Sequence, residues 1–435
     1  VFKITGIFKA YDIRGIYPNQ INEELMEKIG KAFADFIPDK KIAVGYDARV
    51  SSPALFKAFA KGVVAQGKDV IDFGLTSTPM SYFACNFLKT DGCAMITASH
   101  NPKEYNGVKF TREKAIPISG DTGIKEIEKK VMNNDFEEVA EKGSITMRDV
   151  KDAYKKHLLS FIKGIQKIKV VVDPANGMGS QDFTIIQDKL GVDVIELFFE
   201  IDGTFPNHDA NPMKEGAVDK LKETVIKEKA DLGIAFDGDA DRVFFVDDNG
   251  ELVQSGFITA LISEEMLKHH PSSTILFDLR SSWIVPETIA KFGGKPKICR
   301  VGHSFIKEIM RKEDAIFAGE LSGHFYFKDN FFADSGIITV IWLLNLLSAK
   351  KQKLSKLIEP LKKYYASGEI NSEVKDKEAK IKEIEKKYKK GARKILHLDG
   401  VSIEYDDWWF NVRPSNTEPL LRLNLEANSE KLMKE

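Results

Sequence analysis

The segment Asp237-Gly238-Asp239-Ala240-Asp241-Arg242 carries three carboxylates at every second position. The apolar run LGIAF (232–236) leads into it and VFFV (243–246) leads out. On extended backbone, side chains at i, i+2 and i+4 share one side. Three acids gathered there repel unless a cation joins them. All-oxygen donors select a hard divalent ion, Mg²⁺ ahead of Ca²⁺. An EF-hand loop needs Gly at the sixth position, where Arg242 stands, and a strand follows directly. A plain polar β-turn leaves three acids between two apolar strands unexplained.

A second segment, Thr97-Ala98-Ser99-His100-Asn101-Pro102, follows the apolar CAMI (93–96). A serine hydroxyl is a poor nucleophile alone. Beside a metal and cations it can accept and return a phosphoryl group. His100 is placed to donate to a phosphate. Ser, Asn and Pro also favour turns and helix N-caps, and for this loop taken alone that is the simpler reading. In Gly319-Glu320-Leu321-Ser322-Gly323-His324, Glu320 and Ser322 can grip adjacent sugar hydroxyls, and His324 is a candidate acid or base. A glycine-bounded loop with incidental polar groups is the alternative. Arg300-Val301-Gly302-His303 adds a cation and an imidazole. In Arg413-Pro414-Ser415-Asn416-Thr417-Glu418-Pro419, prolines stiffen a loop whose guanidinium, hydroxyls and amide suit a phosphate dianion. A Pro-rich turn with Arg413 paired to a surface acid explains that loop equally well. Arg14, in KAYDIRG (9–15), and Lys109, in NGVK (106–109), are two more cations, each of which could equally be a surface residue.

The elements that must position these residues repeat. A short β-branched run, a polar loop and a helical stretch recur three times. IAVGY (42–46) precedes DARVSSP, KVVV (169–172) precedes DPANGMGS, and TILF (274–277) precedes DLRSS. Each reads as strand, turn and helix, the unit of a parallel α/β sheet. The spacing predicts three similar α/β domains, although chance likeness between βα units is an even competitor. The run GIITVIWLLNLLSA (336–349) is too short to span a bilayer and is interrupted by Asn345, which predicts a buried helix. The segment 376–393 is strongly charged, with Ala379, Ile381, Ile384 and Tyr388 as a thin apolar stripe, which predicts a surface helix ended by Gly391. Alternating runs over 395–405 and 407–427, with a turn at Asp399-Gly400, predict a smaller α+β domain. Expected domains are 1–148, 149–250, 251–363 and 364–435.

Composition bounds the function. The 435 residues carry 64 Lys+Arg against 65 Asp+Glu, a net charge of −1, which argues against a nucleic-acid binder running on bulk positive charge. With 43% hydrophobic and 30% charged residues the chain has ample material for globular cores. The opening VFKITGIFKAYDIRG lacks the long apolar core of a secretory signal. Cys85, Cys93 and Cys299 form no disulfide framework and no metal-cluster spacing, which fits a reducing cytosol. A cytoplasmic protein with no membrane or nucleic-acid partner is expected. Whether it is a monomer or a dimer is left open.

Taken together and in order, the segments IFKAYDIRG, TASHNP, YNGVKF, DGDADR, GELSGH and RPSNTEP resemble the α-D-phosphohexomutase family, in its phosphomannomutase/phosphoglucomutase branch. The resemblance covers essentially the whole chain. It implies three similar α/β domains plus a smaller C-terminal α+β domain around a central cleft. It implies reversible interconversion of hexose 6-phosphate and hexose 1-phosphate, of mannose and also glucose, through a phosphoserine and a hexose 1,6-bisphosphate intermediate that also acts as activator. Phosphoglucosamine mutase activity, or a non-catalytic sugar-phosphate-binding relative, is the alternative. It implies Ser99 as the phosphoserine and one Mg²⁺ held by Asp237, Asp239, Asp241 and the Ser99 phosphate. Glu320 and Ser322 would hold sugar hydroxyls. Arg280, His303, Arg413, Ser415, Asn416 and Thr417 would complete substrate binding. Arg14, His100, Lys109, Arg242 and His324 would surround the moving group, with Lys109 and His324 as acid and base. Two positions depart from the common pattern: Val301 where Thr is usual, and Arg280 where some members have Lys.

Overall fold

A computed structural model describes residues 6–415 and 420–435. Two compact units emerge, one of residues 1–253 with 323–354, the other of 254–322 with 355–435.

The first unit contains two sheets. In the first, the strand Lys41–Tyr46 lies between Asp69–Leu75 and Gly92–Ile96, all parallel, and Tyr105–Arg112 adds antiparallel to Gly92–Ile96. Ile13–Ile16 closes one edge and Ile145–Met147 the other. Lys41–Tyr46 is buried except at its ends, as expected of a strand with helices on its faces. Two of those helices, Glu23–Phe36 and Ser52–Ala65, cross where each carries a glycine. A Cβ on Gly30 would stand 2.2 Å from the Phe59 carbonyl, and one on Gly62 2.1 Å from the Glu27 carbonyl. Only hydrogen allows that approach.

The second sheet repeats the first. Lys169–Asp173 lies between Asp193–Glu196 and Leu232–Phe236, all parallel, and Val243–Val246 adds antiparallel to Leu232–Phe236. In the second unit, Thr274–Asp278 lies between Lys295–Cys299 and Phe317–Gly319 in the same parallel arrangement. The three βα units predicted above are therefore the middle strands of three equivalent sheets, followed by the helices Ser52–Ala65, Gly179–Leu190 and Ile284–Lys291. In each, an aspartate at the end of that strand accepts from the backbone N–H two residues on: Arg49 to Asp47 (3.1 Å), Ala175 to Asp173 (2.9 Å) and Arg280 to Asp278 (2.7 Å). The polar loop after each strand starts from this shared turn.

The apolar run at 336–349 is the helix Gly336–Lys350, buried over nearly its whole length. The amide of Asn345 donates to the Phe161 carbonyl (2.7 Å) and accepts from the Lys163 N–H (2.8 Å), so its polarity is satisfied inside the core. Among the described residues no helix is long and apolar enough to cross a membrane.

The C-terminal part of the second unit is an antiparallel sheet in the order Tyr365–Glu373, Leu420–Ala427, Trp408–Pro414, Val401–Glu404, Lys394–Leu396. The run 395–405 is split by the turn at Asp399-Gly400 into the strands Lys394–Leu396 and Val401–Glu404, and the run 407–427 contains the strands Trp408–Pro414 and Leu420–Ala427. The helix Lys377–Tyr388 packs Ile381, Ile384 and Tyr388 on this sheet. Ala379 stays exposed, so the apolar stripe is one residue shorter than its spacing suggested.

One buried acid makes a pH prediction. Asp182, in the first turn of Gly179–Leu190, accepts from Ser77 Oγ (2.9 Å) and Tyr154 Oη (3.4 Å). Burial outweighs both hydrogen bonds and raises its carboxyl to about 7. A folded-state pKa above the unfolded one gives stability that is full below about pH 4 and is lost as pH rises through about 7. Asp182→Asn should flatten the decline in Tm between pH 4 and 8 in scanning calorimetry. An unaltered decline would contradict this assignment.

Candidate active site

Three of the sequence motifs with polar chemistry leave equivalent places in the repeat. TASHNP follows Gly92–Ile96, DGDADR follows Leu232–Phe236, and GELSGH begins at the end of Phe317–Gly319. Each of these is the third strand of its repeat, and its C-terminal end is where α/β sheets present ligand-binding loops.

In the first unit, Ser99 is 1% exposed and sits at φ +51°, in the left-handed region. That conformation costs a non-glycine residue about 1–3 kcal/mol and persists only where the surroundings impose it. Its Oγ donates to Asp237 Oδ2 at 3.1 Å and lies 3.2 Å from His100 Nδ1. Asp237, Asp239 and Asp241 each bring an oxygen within 4.8 Å of the others, and all are buried. They do not line one side of a strand, as the spacing suggested. The loop must return the chain between antiparallel neighbours, Phe236 pairing with Val243, so it curls into a turn. The N–H of Ala240 donates to the Asp237 carbonyl (3.1 Å), and Ala240 takes φ +64°. Curling, rather than strand alternation, brings the carboxylates together.

Lys109 answers their charge. Its Nζ lies 2.7 Å from Asp239 Oδ2 and 2.6 Å from Asp241 Oδ2. It is therefore a buried partner and not a surface cation. Burial opposes its charge, but the two aspartates outweigh burial and raise its pKa. Asp241 shows the converse: burial pushes it up, yet Lys109 and His324 hold it well below the usual carboxylate range. Asp237 has less compensation, and burial plus the charges of Asp241 and Asp239 push it well up. Thr78 Oγ1 donates to Asp239 Oδ2 at 2.5 Å. Asp239 Oδ1 is buried and accepts no hydrogen bond among the described residues. An all-oxygen cluster with an unused buried lone pair fits a hard cation.

The remaining groups of this unit converge on the same loops. His324 Nε2 accepts from Arg242 Nε (3.4 Å) and lies 3.4 Å from Asp241 Oδ1 and 3.9 Å from Asp334 Oδ2. The Arg242 N–H donates to Asp237 Oδ1 (3.1 Å). Arg14 is paired with Asp12 (2.7 Å) and donates to Asn101 Oδ1 (2.5 Å) beside the serine loop. Burial, with Arg242 and Arg14 close by, pulls the pKa of His100 well down, so its imidazole is neutral.

The second unit gathers its own set. Arg280 pairs with Asp278 (2.8 Å), whose Oδ2 also accepts from the Leu321 N–H (2.8 Å) in the GELSGH loop. Glu320 is buried and accepts from the Gly302 N–H (3.1 Å), while Ser322, in the same turn, is half-buried. His303 opens the helix His303–Lys312, one residue after Gly302. Arg413 and Arg422 take the two oxygens of Glu369 at 3.0 and 3.1 Å, and Arg280 Nη1 lies 4.0 Å from it. Burial raises Glu369, but these arginines outweigh it and lower its pKa. Ser415 is buried next to Arg413. Asn416 and Thr417 lie outside the described residues.

Several residues of the arrangement were given no role from sequence: Asp12 and Asn101, although they stand in KAYDIRG and TASHNP, and Asp47, Arg49, Thr78, Asp334, Glu369 and Arg422. Asp47 and Arg49 stand in the DARVSSP loop, whose place after the first repeat strand was visible. Thr78, Glu369 and Arg422 carry no local signal.

Four family descriptions match the chain in order. Phosphoglucomutase/phosphomannomutase alpha/beta/alpha domain I covers residues 5–138, domain II 152–250, domain III 255–364, and the C-terminal domain 369–435. The chain belongs to the phosphoglucomutase/phosphomannomutase family. It is a phosphohexomutase, an isomerase of hexose phosphates. It is 40% identical to a phosphomannomutase of Escherichia coli K12 over 433 residues, 97% of this chain and 95% of that one. It is 41% identical to a phosphomannomutase of Methanocaldococcus jannaschii over 434 residues, 99% and 95% of the two chains. Among solved structures, a phosphoglucomutase/phosphomannomutase family protein of Burkholderia thailandensis superposes with a TM-score of 0.91 at 33% identity, covering 98% of this chain and 94% of that one. The three family domains of alpha/beta/alpha type correspond to the three repeated sheets described above.

Proposed function

We propose that this phosphohexomutase interconverts the 6- and 1-phosphates of mannose and glucose through a phosphorylated Ser99 and a hexose 1,6-bisphosphate. The observation that carries this reading is the buried Ser99 hydroxyl, 3.1 Å from Asp237, in a strained loop facing three carboxylates and Lys109. The phosphoryl on Ser99 passes to O1 or O6 of the sugar. The bisphosphate reverses, and its other phosphoryl returns to Ser99. Asp237, Asp239 and Asp241, with an oxygen of the serine phosphate, would hold one Mg²⁺. When bound, that ion supplies positive charge against the oxygens of the moving group.

The proton must come from and return to a sugar hydroxyl. His324 suits this because imidazole titrates near neutrality. Its Nε2 accepts from Arg242 Nε at 3.4 Å and lies 3.4 Å from Asp241 Oδ1, within reach of the groups around the moving phosphoryl. Lys109, held protonated by two aspartates, serves as fixed charge instead. Arg14, His100 and Arg242 donate to phosphoryl oxygens in this reading. Glu320 and Ser322 hold the sugar O3 and O4, with Arg280 and His303 beside them. Arg413, Ser415, Asn416 and Thr417 clamp the phosphate that stays. Hydroxyl contacts at O3 and O4 survive reversal and leave C2, where mannose and glucose differ, weakly read.

The enzyme is assigned to the cytoplasm, with free hexose phosphates as its partners. The test compares kcat/KM for mannose, glucose and glucosamine 1-phosphates in a coupled assay with Mg²⁺ and a hexose 1,6-bisphosphate. Mannose and glucose should lie within about tenfold of each other. A strong preference for glucosamine 1-phosphate would replace this substrate assignment, and absence of flux despite binding would remove the activity.

A further inference from the structure

We propose that Arg49 is the positioning residue that holds the phosphoserine loop in its reactive conformation. The inference rests on Ser99 as the phosphoryl acceptor. Arg49 follows the strand Lys41–Tyr46 and is 1% exposed. Its Nη1 donates to the carbonyls of Pro102 (2.7 Å) and Tyr105 (3.0 Å), and its Nη2 to those of Ser99 (2.7 Å) and Asn101 (2.6 Å). The four terminal N–H groups of one guanidinium are thus all spent on the segment from Ser99 to the start of the strand Tyr105–Arg112, including the carbonyl of Ser99 itself. Its Nε faces Asp47 Oδ2 at 3.3 Å, and its plane lies over the Phe205 ring at 5.3 Å.

The Asp47–Arg49 pair reaches Ser99 by a second arm. Thr97 Oγ1 donates to Asp47 Oδ2 (2.7 Å) and accepts from the Ser99 N–H (2.8 Å). Both peptide groups flanking the Ser99 Cα are therefore tied to one buried ion pair, while its Oγ remains directed at Asp237. That explains how serine is held at φ +51°, where its own preference would not place it. The surroundings admit no slack. A Cβ on Gly203 would meet the Ala48 carbonyl at 2.1 Å, and a Cβ on Gly238 would meet the Ser99 carbonyl at 2.7 Å. Apart from Asp47, the polar partners of the Arg49 guanidinium are backbone carbonyls, and not the Ser99 hydroxyl or the carboxylates of Asp237, Asp239 and Asp241. It acts through the backbone.

Lysine keeps the charge but offers three donors from one point, which cannot span four carbonyls. Arg49→Lys should therefore lower kcat about 100-fold, as expected for a displacement of about 1 Å at a reacting atom. KM should stay within about threefold, and the rate of Ser99 phosphorylation by glucose 1,6-bisphosphate, followed by intact mass, should fall in parallel. In Arg49→Ala, added guanidinium should restore part of kcat and added ammonium should not. If the alanine variant does not fold, the lysine variant decides alone. Arg49→Lys retaining more than half of kcat, or losing activity only through KM, would overturn the proposal. So would a folded Arg49→Ala enzyme that guanidinium does not rescue. Failure of the underlying reading is separate: phosphate would then be missing from Ser99 in the unaltered protein.

Discussion

Ser99→Ala should lower kcat by on the order of 10⁴-fold or more while changing hexose-phosphate affinity by about threefold at most. The magnitude follows from the loss of the covalent step, since water attack on the substrate phosphate is a different and far slower reaction. Among the described residues, the two threonine hydroxyls beside this site are already engaged. Thr97 Oγ1 is committed to Asp47 and Thr78 Oγ1 to Asp239. The loop itself should survive, because its backbone is held by Arg49 and Thr97 rather than by the serine hydroxyl. The checks are steady-state kinetics with mannose and glucose 1-phosphates, and peptide mass mapping of phosphate to position 99. Near-normal turnover in the variant, or phosphate on an aspartate of the 237–241 loop, would sink the phosphoserine assignment.

Asp237→Asn should separate catalysis from stability. The substitution removes one of three buried carboxylates and keeps the shape. The Asn Oδ1 can still accept from the Arg242 N–H, which now bonds Asp237 at 3.1 Å. The cluster loses a charged oxygen donor, so kcat should fall by on the order of 10²–10³-fold and Mn²⁺ affinity should weaken at least about tenfold, read by electron paramagnetic resonance. The metal-free protein should be no less stable than the parent. Lys109 pairs with Asp239 and Asp241 but not with Asp237, which faces Arg242 Nε only at 3.8 Å, and burial with the neighbouring carboxylates pushes Asp237 well up. Removing its charge relieves repulsion in a low-dielectric site. In calorimetry with chelator present, Tm should hold or rise by about 1–3 °C. A marked drop in Tm with activity retained would contradict both the metal role and the charge argument.

Much of the fold was legible because its signals are local. The middle strands of the three repeats, at 41–46, 169–173 and 274–278, show as β-branched runs ended by an aspartate and a polar loop. The buried helix Gly336–Lys350 shows as an apolar run of the right length. The strands flanking DGDADR were read at their observed ends, 232–236 and 243–246. What misled was the inference from spacing to geometry inside that loop. Alternation requires extended backbone, and a six-residue connection between antiparallel strands cannot remain extended.

The cations were the least legible part. Arg14 and Lys109 could each equally be a surface residue, and a surface ion pair explains Arg413 as well as a phosphate does, since a lone Lys or Arg carries no sign of its partner. In the fold, Lys109 meets Asp239 and Asp241, 130 and 132 residues away, Arg14 meets Asp12 and the serine loop, and Arg413 meets Glu369. Arg49 is the extreme case. Its role is to occupy four backbone carbonyls, and a carbonyl has no identity in a sequence.

Sequence by itself determined which side chains can do chemistry, in what order, and on which repeating unit, because residue type, turn chemistry and hydrophobic period are properties of short segments. Tertiary structure alone decided the charge balance: which acid each base neutralises, which histidine lies beside Arg242 and Asp241, and what holds Ser99 in a conformation it would otherwise leave. Those depend on distances of 2.5–4 Å between residues roughly a hundred positions apart, and only packing sets them.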